Sequence, residues 1–193
     1  MVIRDADPHR DAAACAAIYA PFVRDAAVSF EENPPDAEAM RERIASTQLT
    51  HPWVVAHMGD VLAGYAYASS HRVRSAYRWA ADVGIYVGER HRGRGVGRLL
   101  YDTLLRLLAA QGFHVACAGI ALPNPASVAL HEAVGFTRVG VYRQIGFKHG
   151  SWHDVGWWQR RLTDPATIPP PDPGPPRRLS DSGDLGVPAG SDQ

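Results

Sequence analysis

The chain has 193 residues, enough for one well-buried domain and too few for two ordinary ones. Hydrophobic residues make up 46% and charged residues 21%, with 20 Lys plus Arg against 20 Asp plus Glu, so no net field draws the protein to nucleic acid or a membrane. No segment approaches about 18 consecutive apolar residues, which excludes a membrane-spanning helix. Met1-Val-Ile-Arg-Asp lacks a cationic stretch ahead of an apolar one, so no signal peptide is expected. Cys15 and Cys117 stand in apolar surroundings and read as buried free thiols. No Cys/His spacing resembles a zinc site, and His149 with His153 form the only close histidine pair. A cytoplasmic protein without a metal is expected.

A short apolar strand, Val2 to Arg4, leads into an alanine-rich helix with Cys15, Ile18, Tyr19, Phe22 and Val23 at helical spacing. A loop holding Val28, Ser29 and Phe30 follows, and Asp36 reads as the cap of a second helix running to about Gln48. Trp53 to His57 and Val61 to Ala68 read as strands joined through a hairpin turn at Met58-Gly-Asp. His71 to Tyr77 is polar and basic, hence a surface loop, and Trp79 to about Val87 is a further strand. A helix is expected over 96–111, with leucines at 99, 100, 104, 105, 107 and 108. A strand (115–122), a helix (125–134) and two strands (around 138–147 and 154–161) complete the pattern. The order β-α-α-β-β-β-α-β-α-β-β implies an α+β layered sheet over residues 1–162. Residues 163–193, opening into Pro169-Pro-Pro-Asp-Pro-Gly-Pro-Pro, lack the apolar residues for a core and are expected to be a disordered tail.

The Arg92-Gly93-Arg94-Gly95-Val96-Gly97 run lies directly after a strand and directly before a helix. Glycines there turn the backbone tightly and present successive N–H groups, and the helix adds the positive end of its dipole, a combination suited to a pyrophosphate. The glycines alternate instead of following G-x-G-x-x-G, and no Gly-Lys-Ser/Thr is present. Neither a dinucleotide nor ATP fits.

Arg92-x-x-Gly95-x-Gly97 resembles the coenzyme A loop of the GNAT acetyltransferase superfamily, down to the strand ending Ile85-Tyr86-Val87 before it. Asn124-Pro-Ala-Ser127, continuing through Leu130-His131 to Gly135-Phe136, resembles the downstream helix segment of the same superfamily. Val28-Ser-Phe30, Ala63-Gly-Tyr-Ala-Tyr-Ala, Arg74-Ser-Ala-Tyr77 and the long stretch from Gly146-Phe-Lys-His to Gly-Trp-Trp-Gln159 are similar to one branch, the phosphinothricin and methionine sulfoximine N-acetyltransferases. The resemblance spans residues 2–162. It implies the GNAT fold, a central, mostly antiparallel twisted sheet flanked by helices, with acetyl-CoA as cosubstrate, a small amino-acid-like amine as acceptor, and a homodimer.

The resemblance places acetyl-CoA against Ile85, Tyr86, Val87, Arg92, Gly93, Arg94, Gly95, Val96, Gly97, Arg98, Asn124 and Ser127, with backbone amides near Tyr86 and Val87 meeting the oxyanion. Asp82 stands where the family carries a Glu base. One methylene shorter, it would act through a water, although a structural Asp held by a neighbouring Arg fits the same position. Asp82, Gly84 and Tyr86 share one strand face. Gly84 replaces the branch's usual Thr or Ser and suggests a bulge or a close approach. His131 matches the general-acid position, and a helix histidine that merely packs fits it too. Phe30, Arg72, Arg74 and Tyr77 match the branch's substrate-contacting positions, where Arg can clamp a carboxylate. The 148–154 segment either closes the pocket or forms a dimer contact. Two other readings stay open: a different acceptor amine such as a peptide N-terminus, or a non-catalytic acyl-CoA-binding protein.

Overall fold

In the computed structural model, the described residues are 1–164, 166, 168, 172–176 and 179. Among them are seven strands and four helices. These are β1 (Val2–Asp5), α1 (Pro8–Arg24), α2 (Ala37–Thr47), β2 (Trp53–Met58), β3 (Val61–Ser70), β4 (Ala80–Val87), α3 (Val96–Gln111), β5 (Val115–Leu122), α4 (Pro125–Ala133), β6 (Thr137–Lys148) and β7 (Ser151–Arg161). The order agrees with the sequence reading.

The strands form one sheet in the order β1-β2-β3-β4-β5-β7-β6. Every neighbouring pair is antiparallel except β4 and β5. That pair carries the architecture of the site: it is matched only at Ala80↔Val115, Ala81↔Ala116 and Asp82↔Cys117. Beyond Asp82 the two strands part, leaving a wedge in the sheet where peptide groups have no strand partner.

Each sheet face is covered by its own helices. On one side α3 buries Val96, Leu100, Leu104, Leu105, Leu107 and Leu108 against Val54, Ala66, Ala68, Ala81, Ala116 and Ala118. Small alanines on the sheet let the leucine face approach closely, each buried Leu contributing about 1.5–3 kcal/mol. Leu99 points outward and is exposed. On the other side α1 and α2 bury Cys15, Tyr19, Val23, Met40 and Ile44 against Trp53, Val55, Leu62 and Tyr65. Asp7 caps α1 by accepting from the amides of His9 and Arg10, and Asp36 caps α2 through the Ala39 amide at 2.8 Å.

Two expectations change. Cys117 is half-buried, whereas Cys15 is fully buried, because Cys117 lies on the sheet face beside the parting strands. Strand β7 begins at Ser151, so His149 and His153 belong to a β-hairpin. Lys148 pairs with Ser151, and His149 (φ 50°) with Gly150 (φ +72°) supplies the two positive-φ residues of a tight turn. Most of the expected tail lies outside the described residues. Within them, Gly174 exchanges hydrogen bonds with Gln111, and Asp172 pairs with Arg78 at 2.9 Å.

Candidate active site

The run from Arg92 into α3 folds as the sequence requires. Gly93 (φ +70°) and Gly95 (φ +77°) occupy the left-handed region, which glycine enters without the usual Cβ penalty. Gly95 is also the N-cap of α3, its carbonyl accepting from Leu99. Among the described residues, the amides from Gly93 to Arg98 donate to no protein carbonyl, so a row of free N–H groups stands at the helix N-terminus. Val96 is buried, leaving only its backbone to a ligand. Arg94 and Arg98 are exposed at the helix entrance. Arg92 points elsewhere: its Nε donates to the Val87 carbonyl at 3.3 Å and its guanidinium lies 5.0 Å from the Phe22 ring. It braces the loop against α1.

Above this loop the wedge between β4 and β5 forms a cleft. Val83 to Tyr86 line one wall, Gly119 to Ala121 the other, and Asn124, Ser127, His131 and Tyr101 the floor. Asn124 caps α4, its Oδ1 accepting from the Ser127 amide at 3.1 Å. The cleft shares Val28, Gly119 and Ala121 with a cavity of about 400 Å³, completed by Phe30, Tyr142, Ile145, Val155 and Trp157. A narrow channel thus opens into an apolar chamber.

Phe30 packs against Gly146, and any side chain at that glycine would collide with the ring. The loop carrying Phe30 is pinned by Lys148, whose buried ammonium donates to the carbonyls of Val23, Ser29 and Glu31. This assigns the 148–154 segment its contacts. Lys148 holds the chamber's wall, while Asp154 accepts from the Gln144 amide at 2.8 Å and fills the bulge in β6.

Asp82 shares its strand face with Gly84 and Tyr86, as expected. Its Oδ1 lies 2.6 Å from His71 Nδ1, a residue that the sequence placed only in a surface loop. Burial raises the Asp82 pKa, and the hydrogen bond to His71 partly opposes this. Cys117 lies opposite, and the potential ligand atoms of His71, Asp82 and Cys117 fall within 4.8 Å of one another. Burial, then the Asp82 charge, pushes the Cys117 thiol to about 11, so it stays protonated at neutral pH. The Gly84 substitution is explained by a side chain: a Cβ there would lie 2.8 Å from the Tyr67 ring, which fills the space.

His131 is buried, with Nε2 2.7 Å from the Tyr101 hydroxyl and Nδ1 2.7 Å from the Ser127 carbonyl. A carbonyl only accepts, so in the neutral ring Nδ1 carries the proton and Nε2 accepts from Tyr101. Burial lowers the His131 pKa, against the Ser127 hydrogen bond, and this favours the neutral ring. Both nitrogens are engaged, so the expected general acid His131 has its proton committed to the Ser127 carbonyl and lines the cleft beside Tyr101. The tyrosine was not anticipated, since a helix-face aromatic looks like core until its hydroxyl partner is known.

Of the expected substrate contacts, Phe30 lines the chamber. Arg72 lines a neighbouring cavity of about 180 Å³ with His71, Cys117, Tyr142 and Trp157, its guanidinium 5.7 Å from the Trp157 ring. Tyr77 packs edge-on against His71 at 5.8 Å. Arg74 is exposed and lines neither cavity. Its carbonyl accepts from the Tyr77 amide in a short 3-10 turn, which directs the chain past the site.

Comparison with known proteins gives this geometry its context. Residues 5–157 match the family model described as the acetyltransferase (GNAT) domain. A phosphinothricin N-acetyltransferase of Streptomyces viridochromogenes is 42% identical over 163 residues, covering 84% of this chain and 87% of that protein. An L-methionine sulfoximine/L-methionine sulfone acetyltransferase of Salmonella typhimurium is 33% identical over 167 residues, covering 86% and 97%. A GNAT superfamily phosphinothricin acetyltransferase from Sinorhizobium meliloti, solved in complex with acetyl-CoA, superposes with a TM-score of 0.83 at 35% identity, covering 94% of this chain and 96% of that one. With the parted β4 and β5 strands and the free amides at the start of α3, these matches show that the chain belongs to the GNAT acetyltransferase family.

Proposed function

We propose that this protein is an acetyl-CoA-dependent N-acetyltransferase whose acceptor is the primary amine of a small amino acid of the phosphinothricin or methionine sulfoximine type. The observation that carries the reading is the β4/β5 cleft that shares Val28, Gly119 and Ala121 with the 400 Å³ chamber, in a chain whose next helix starts with the free amides of residues 93–98. The amides, Arg94 and Arg98 suit the anionic end of acetyl-CoA, and the cleft suits a narrow arm lying between strands. The cosubstrate supplies an activated acetyl thioester. Unpaired peptide groups on β4 near Tyr86 and Val87 stabilise the charge that grows on the carbonyl oxygen. Asp82 serves proton removal from the amine, which runs through water, and the Tyr101–His131 pair, with its protons committed to each other and to the Ser127 carbonyl, shapes the floor of the cleft. Cys15 and Cys117, both held protonated by burial, take no acyl group.

The chamber's apolar lining suits an aliphatic side chain, and Arg72 beyond Trp157 suits a carboxylate. A polyamine would call for acidic walls, and this lining contains none. We place the protein in the cytoplasm. It works as a homodimer, since edge strand β6 exposes Val139, Tyr142, Ile145 and Phe147, with Trp152 beside them. The test is thiol release from acetyl-CoA against a panel of amines. Turnover with phosphinothricin or methionine sulfoximine, collapsing in Asp82→Ala, is the expected result. Acetyl-CoA binding without turnover on any amine would favour a non-catalytic protein.

A further inference from the structure

The strand geometry places a second titratable group on the base. In the β3/β4 pair Ser69 lies opposite Asp82 and Ser70 opposite Ala81, so the next residue, His71, falls diagonally beside Asp82 as the strands separate. The His71 amide donates to the Ala80 carbonyl at 3.4 Å, Tyr77 flanks its ring at 5.8 Å and Trp157 at 5.9 Å. The ring is therefore held on three sides, with Nδ1 on Asp82 at 2.6 Å. When Asp82 is ionised it accepts only, so a neutral His71 carries its proton on Nδ1 and presents an unprotonated Nε2. A carboxylate that fixes the tautomer of an imidazole general base is a recurring catalytic arrangement. Trp157 lines both the His71 cavity and the acceptor chamber, so the two spaces meet at that side chain.

We propose that the proton acceptor of this enzyme is the His71–Asp82 pair, with His71 Nε2 taking the proton through a water and Asp82 holding the ring. This rests on the acetyltransferase reading given above. The ammonium gives one proton to the pair as it becomes a free amine. The amine then forms the N–C bond to the acetyl carbon while the C–S bond breaks and its electrons leave with the sulfur. The second amine proton neutralises the thiolate, and the imidazolium–carboxylate pair returns its proton to solvent. The dyad starts with a single negative charge and becomes neutral overall when protonated. The titratable and charged groups facing it are Arg72 beside it, Tyr67 from β3, Cys117 on β5, Tyr77 from the 3-10 turn and Tyr142 from β6. The imidazole lines the cavity that adjoins the chamber at Trp157 and Tyr142.

Two variants separate proton acceptance from bracing. His71→Asn retains an N–H for Asp82 but has no acceptor nitrogen, and His71→Phe removes both. Both are expected to lower kcat about 10²–10³-fold with acetyl-CoA binding intact. Both should also remove the acidic limb of the kcat/KM profile. Wild-type kcat with an unchanged acidic limb in His71→Asn would overturn the proposal and leave His71 a brace. A readout independent of turnover is the ¹⁵N spectrum of the imidazoles in the wild-type protein at high pH, with His71 assigned by its loss in His71→Asn. The expected neutral tautomer has the proton on Nδ1, and a proton on Nε2 would overturn the pairing whether or not an acceptor amine has been found.

Discussion

At the scale of single residues, buried charges hold the frame of the site, and sequence periodicity does not reveal them. Lys148 is the clearest case: its ammonium ties three carbonyls around the Phe30 loop from a position more than a hundred residues away. Lys148→Met is expected to leave those carbonyls unsatisfied, costing about 2–4 kcal/mol in denaturant unfolding. It should also raise KM for the amine more than for acetyl-CoA, because Phe30 belongs to the chamber. Titration gives a second prediction. Burial lowers the pKa of His51 and of His131, so their folded values lie below the unfolded ones. Below about pH 6.5 the unfolded chain therefore binds protons that the folded chain resists, and stability falls as pH drops through that window. His51→Phe, with its ring against Phe113, should flatten the fall when unfolding is measured from about pH 7.5 to 5. The residues of the site were unevenly legible. Asp82 and His131 stand at motif positions, whereas His71 and Tyr101 acquire meaning only from partners at separations of 11 and 30 residues.

At the scale of elements, the loop before α3 and the parting of β4 from β5 make the site. The loop was readable because its glycines, the strand before it and the helix after it lie together in the chain. The parting was not, since it depends on where two strands cease to pair, and nothing within either strand marks that point. Gly95 tests the loop. With φ at +77° and open space where a Cβ would stand, Gly95→Ala introduces backbone strain without a clash. The expected cost is about 1–2 kcal/mol, appearing as a weaker acetyl-CoA Kd by calorimetry. Gly84 tests the face of β4. A threonine there meets Tyr67 at the position of its Cβ, so Gly84→Thr should lower stability by about 1–3 kcal/mol through overpacking. An unchanged melting temperature would show that Tyr67 moves aside freely. The 148–154 segment was ambiguous in sequence because His149 and Gly150 form a two-residue turn without the usual Asn-Gly signature.

At the scale of the whole molecule, one sheet with a helix layer on each face, opened by a wedge between β4 and β5, joins a cleft to an apolar chamber. The order of elements was legible from periodicity and turn chemistry, and the fold followed from that order together with the two motifs. The chamber's walls were not, because they come from β5, β6, β7 and the Phe30 loop, segments far apart in the chain. The central claim is that acetyl-CoA and an amino-acid amine meet in this channel and react directly, without an acyl-enzyme. Initial rates of thiol release, with acetyl-CoA and phosphinothricin varied together, test it most directly. Intersecting double-reciprocal lines, with N-acetylated product matching the thiol released, are predicted. Parallel lines would demand a covalent acyl-enzyme, and absence of turnover with amino-acid amines would contradict the account.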